Sequence, residues 1–150
     1  MKKFKFNLQS VLDVRKMREN KALLALSHTQ RALQAEIEKK QKLVSDFEAA
    51  LLRREKLGEQ AVPVASYQTE TDFIEGQKRR IQWADQAIFR AQKNVEKAMR
   101  AVLQARRSTK VIEVLREKAE LAFRKELSKK EDKAIDELNV MRARFREEWG

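Results

Sequence analysis

The sequence contains no cysteine, one proline, three glycines and one histidine in 150 residues. Each scarcity excludes something. Without cysteine there is no disulfide framework, no thiolate nucleophile and no cysteine-based zinc centre. Four glycine and proline residues are too few to punctuate the turns of a β-sandwich, a β-barrel or a βαβ fold. The glycines stand alone, so none belongs to a phosphate-cradling loop. Long apolar runs are missing as well. The longest, Ala22 to Leu26, falls far short of the ~20 residues that span a bilayer. The opening Met1-Lys2-Lys3-Phe4-Lys5-Phe6 carries charge but no apolar core of a secretory signal, and the absence of cysteine is compatible with the cytoplasm.

What is abundant points one way. Ala, Glu, Lys, Leu and Arg supply 84 of the 150 residues, the composition of coiled coils and very long helices. Charged residues reach 38%, yet 42% are hydrophobic and recur regularly, which argues against disorder. The net charge is +11, a balance that favours anionic partners such as nucleic acid, a membrane surface or an acidic protein. It is unevenly spread: residues 1–58 carry +7, residues 70–124 carry +5, and residues 125–150 are neutral.

One break interrupts two periodic segments. It runs from Gly58 through Pro63 to Ser66, with Gly58 suited to a helix C-cap and Ser66 or Thr69 to the next N-cap. Before it, Leu23, Leu26, Gln30, Leu33, Ile37, Lys40, Val44, Phe47 and Leu51 follow a 3-4 spacing, a heptad seam. Upstream, from Asn7 as a plausible cap, Leu8, Val11, Leu12, Val14 and Met17 leave a less regular apolar face. After the break one seam position reads Ile74, Ile81, Ile88, Val95, Val102, Thr109, and its companion reads Gln77, Ala84, Ala91, Ala98, Ala105, Ile112. Large residues alternating with alanine predict a closely approaching neighbour helix. A stutter at Phe123 and Leu127 precedes a last seam of Glu131, Ala134, Leu138, Met141 and Phe145.

The expected fold is therefore all-α: one coiled-coil domain over residues 1–150, with two long helices in an antiparallel hairpin. The boundaries expected are about 7–57 for the first helix, 58–69 for the connection and 70–147 for the longer second helix. Folding near residue 64 brings Leu8 near Glu120, so residues beyond about Lys125 overhang without a partner from the same chain. The overhang carries an apolar stripe of Leu138, Met141, Phe145 and Trp149, with Arg142, Arg144 and Arg146 around it. Phe4, Phe6 and Leu8 are expected close by, so that the two termini form one apolar plug collared by positive charge.

Little here suggests catalysis. His28 lies between seam positions, and a two-helix hairpin offers no pocket for a general base. The carboxylates fall on charged faces. No enzyme, metal or cofactor is expected. Basic runs such as Lys78-Arg79-Arg80 could meet phosphates, so a nucleic-acid-binding coiled coil is an alternative. No aromatic stacking platform accompanies them. The exposed aromatics Phe73, Trp83 and Phe89 are better candidates for docking points.

Three stretches resemble the FliJ family of flagellar type III export proteins. The opening Phe4-x-Phe6-x-Leu8-x-x-Val11-Leu12-x-x-Arg15 is similar to the family's first motif. Tyr67 through Ile81, with Phe73-Ile74, is similar to the start of its second helix, and Glu131-x-Lys133-x-x-Asp136-Glu137-Leu138 to a late charged cluster. The resemblance implies a cytoplasmic, non-enzymatic export component, peripheral to the inner membrane and similar to the gamma stalk of rotary ATP synthases. Its implied partners are a hexameric export ATPase (FliI-like), an export-gate membrane protein (FlhA-like) and export chaperones. The related injectisome group (YscO-like) shares the architecture. On this resemblance the gate-contacting face falls on Phe73, Gln77, Arg80 and Ala84, with Trp83 in support; Phe73 keeps the family's apolar character while Gln77 and Arg80 depart from it. The ATPase ring would be met by Phe4, Phe6, Leu8 and Arg15, and by Leu138, Met141, Arg142, Phe145 and Trp149.

Overall fold

A computed structural model describes residues 2–149. They form two helices, α1 (Gln9–Gly58, 50 residues) and α2 (Val64–Trp149, 86 residues), and no strand among the described residues. The all-α hairpin with a longer second helix is what the heptad pattern predicts.

The helix ends differ in detail from expectation. A turn precedes α1: the Gln9 amide donates to the Phe6 carbonyl (3.1 Å) and the Leu12 amide to the Leu8 carbonyl (3.0 Å). Gly58 is not a left-handed cap, because no described residue has positive φ. Instead α1 closes by tightening, with the Glu59 and Gln60 amides donating three residues back to Lys56 and Leu57 (3.3 Å each). The connection is only residues 59–63, and α2 begins six residues earlier than expected. Pro63 explains the early start. Its ring presets a helical φ, and its missing N–H costs nothing where no intrahelical acceptor exists. Thr69 does not cap; its hydroxyl donates back to the Ala65 carbonyl (2.8 Å) inside the helix. Tyr67 and Phe73 consequently lie within the first three turns of α2.

The chain forms two compact units. In the unit Asn20–Gln104, Arg53 pairs with Glu70 (3.0 Å) and Lys40 with Asp85 (2.6 Å), so α1 and α2 run antiparallel. Its expected seams are buried or half-buried throughout, except for exposed Gln30. Ile74 and Val102 are each 1% exposed, and the alanines Ala84 and Ala91 are buried between helices as the small-residue ladder requires. Ala50, off the expected seam, is also fully buried.

The other unit, Met1–Glu19 with Ala105–Gly150, is antiparallel too. Glu19 pairs with Arg106 (3.5 Å), the Arg15 Nη1 donates to the Ser108 carbonyl (2.7 Å), and Phe4 packs on Phe123 with ring centres 5.7 Å apart. Leu12, Thr109 and Ile112 form its buried centre. Of the expected upstream apolar face only Leu12 is buried; Leu8, Val11, Val14 and Met17 are exposed. The half-buried Arg15 takes the inward place, its guanidinium satisfied by a helix carbonyl. Every described residue from Ser128 onward is exposed, so the predicted overhang is real.

Candidate functional site: two docking surfaces

The first surface lies in the unit Asn20–Gln104. Leu43, Lys39, Lys42 and Asp46 of α1 face Phe73, Gln77 and Arg80 of α2 across a groove of about 490 Å³. Phe73 is its exposed aromatic wall, with the Arg53 guanidinium 6.0 Å from the ring centre. Gln77 is its floor. Only 3% exposed, it donates through Nε2 to the Leu43 carbonyl (3.2 Å) and accepts at Oε1 from Arg80 Nη1 (2.9 Å). Both ends of a buried amide are thus satisfied, as burial demands. The Arg80 guanidinium is held over the groove by that contact.

The i, i+4, i+7, i+11 face predicted on α2 is thus divided. Phe73 and Arg80 present themselves; Gln77 and Ala84 belong to the helix–helix seam. Trp83 is 63% exposed but does not line the groove. The α1 wall, with two lysines and an aspartate, was not foreseen. Periodicity along α2 carries no information on which α1 turn lies opposite.

The second surface is the overhang in the other unit. Leu138, Met141 and Phe145 are more than half exposed, and with Arg142 and Arg146 they line a shallow recess of about 250 Å³. Phe145 and Trp149 stack one turn apart, ring centres 6.0 Å and planes 30° apart. Ile135, 55% exposed, extends the stripe toward the N-terminal side; its three-residue spacing from Leu138 is the signal that could have included it.

The single plug of both termini does not form. Phe4 meets Phe123, and along the continuous α2 that point is ~22 Å from Leu138 at ~1.5 Å per residue. Phe4 and Phe6 are half-buried, Leu8 is exposed, and Arg15 is bonded to the Ser108 carbonyl; the overhang stripe stands apart. His28 is exposed, and no group of three or more His, Cys, Asp or Glu that could hold a metal ion occurs among the described residues. No described helix is long and apolar enough to cross a membrane.

Fold and surfaces together define an all-α helical hairpin whose functional features are exposed apolar patches edged with arginine and lysine. Residues 4–148 match the family model described as flagellar FliJ protein, and the chain belongs to that family. Membership makes it a component related to type III secretion. Among solved structures it is similar to a protein described as a YscO homolog, CT670 of Chlamydia trachomatis. That likeness has a TM-score of 0.68 at 17% identity and covers 97% of this chain and 99% of that one. At such identity it speaks for the fold. No curated protein matches the sequence.

Proposed function

We propose that this protein is a non-enzymatic, cytoplasmic component of a flagellar export apparatus. In this reading it is a stalk-like partner of a hexameric export ATPase and associates peripherally with the inner-membrane gate. The observation that carries the reading is the overhang: Leu138, Met141, Phe145 and Trp149 lie on a helix that no other part of the chain covers. Each large apolar side chain gains ~1.5–3 kcal/mol on burial, so the stripe favours a sleeve that covers it. Arg142, Arg144 and Arg146 add a collar suited to acidic loops around such a sleeve. Family membership supports an ATPase ring as the sleeve.

Deleting residues 138–150 tests this. The paired helices should keep their helicity, since their seams are untouched, while stimulation of the export ATPase should fall sharply. Full stimulation by the shortened chain would overturn the assignment.

The groove is proposed as the gate-contacting face, with Phe73 the anchor and Arg80 beside it. A buried interface aromatic costs about 2 kcal/mol or more on truncation, roughly a 30-fold loss in affinity. Phe73→Ala should therefore weaken binding to the gate protein by that factor in a calorimetric titration, with circular dichroism unchanged. Unaltered affinity would remove Phe73 from the interface. Chaperone binding is proposed on the family relation alone.

A further inference from the structure

We infer that the overhang is also a self-association site, and that two copies of this chain pair antiparallel through residues 131–148. The inference stands on the chemistry of the stripe and does not depend on the export reading. Three observations carry it.

The first is charge. Two copies of a protein with net charge +11 repel one another almost everywhere. Residues 125–150 are the exception, with seven basic and seven acidic side chains and no net charge. This stretch is also the longest without a partner in its own chain, every described residue from 128 to 149 being exposed.

The second is seam complementarity. Glu131, Ala134, Leu138, Met141, Phe145 and Glu148 follow a 3-4-3-4-3 spacing. An antiparallel copy places Leu138 against Met141, two residues of similar size, and the small Ala134 against the large Phe145 of the other chain. A parallel copy would set alanine on alanine and phenylalanine on phenylalanine, leaving a gap beside a clash. Glu131 and Glu148 meet at the two ends, where water screens their like charges.

The third is the flanking charges. In the antiparallel register Glu137 of each copy faces Arg144 of the other, giving two equivalent ion pairs beside the seam. Both residues are exposed, and neither is in an ion pair among the described residues. Ile135 in turn lies under the aliphatic stem of the other copy's Arg142. A covered aromatic buries about 150–250 Å². Two copies of Phe145 and Trp149, with Ile135, Leu138 and Met141, bring the contact toward the ~1,200 Å² at the lower limit of specific interfaces. The dimer is therefore weak and concentration-dependent, which lets the same stripe be released to another partner.

Sedimentation equilibrium of the intact chain, over about 5–500 µM, tests the pairing. A monomer–dimer equilibrium is expected for the native sequence. Glu137→Arg and Arg144→Glu should each weaken it at least about tenfold, because each sets like charges opposite one another. An equimolar mixture of the two variants should restore the dimer, since both ion pairs re-form in the mixed species, one with its sign reversed and the other as in the native pair. Circular dichroism of each variant should match the native chain, as both positions are exposed. A monomer at every concentration overturns the proposal. So does a dimer indifferent to both reversals, which would place the contact elsewhere, or one indifferent to Arg144→Glu alone, which would make the helices parallel. No ATPase enters the assay, so its outcome is separate from that of the deletion experiment above.

Discussion

Gln77 and Leu12 show how single residues hold this structure together. Gln77 is a polar residue in an apolar ladder, and its amide is bonded at both ends, to the Leu43 carbonyl and to the Arg80 guanidinium. A satisfied polar seam position costs little and penalises any slip of one helix along the other, because a slip would strand the amide. The same residue holds Arg80 beside Phe73, so a packing device also arranges a surface. Leu12 is fully buried where its apolar neighbours in sequence are not. Leu12→Ala should accordingly cost about 2–5 kcal/mol, seen as a lower urea midpoint. Leu24→Ala, at a site 64% exposed, should shift the midpoint by no more than about 0.5 kcal/mol. Equal effects at the two positions would mean that Leu12 is not the centre of its unit.

The longer helix is one uninterrupted element of 86 residues despite a glycine in its interior. Gly76 has an ordinary negative φ, and a Cβ built on it would come no nearer than 3.8 Å to any side chain, that being the flexible Arg80 guanidinium. Nothing in the structure requires glycine there. Gly76→Ala should stabilise the protein by ~0.5–1 kcal/mol and raise its melting temperature, mainly by narrowing the unfolded ensemble. A lowered melting temperature would reveal a close approach at this turn. Along the same helix the alternation of isoleucine or valine with alanine becomes, in three dimensions, a row of close contacts with α1. The alternation ends at Ala105, yet burial continues through Thr109, Ile112 and Phe123, and only beyond Leu127 does the helix run on exposed. Partner-seeking surface in α2 thus begins where its tertiary pairing ends.

For the molecule as a whole, charge and apolar surface divide the work. The paired stretches carry the excess of positive charge, while the unpaired stretch is neutral and greasy. The two proposed roles of that end exclude one another on a single molecule at any instant. Raising the protein concentration should therefore reduce the fraction free to engage an ATPase, an effect shifted at least about tenfold upward in concentration in the Glu137→Arg variant. The helices themselves, their heptad seams and the unpaired end were legible in the sequence alone. Those features depend on local propensity, on a repeat of about 3.5 residues and on the near absence of glycine and proline, all of which are properties of neighbouring residues. Phe73 as an exposed aromatic was legible for the same reason, since it lies off the seam. The tertiary structure alone decided the rest: the start of α2 at Val64, the inward turn of Arg15, the burial of Gln77 and Ala84, the α1 wall of the groove, and the separation of Phe4 from the overhang stripe. A periodic pattern specifies rotation about a helix axis but not position along it. That position comes from a five-residue connection and from which side chains satisfy one another across the pair, as Arg53 does with Glu70 and Arg15 with the Ser108 carbonyl.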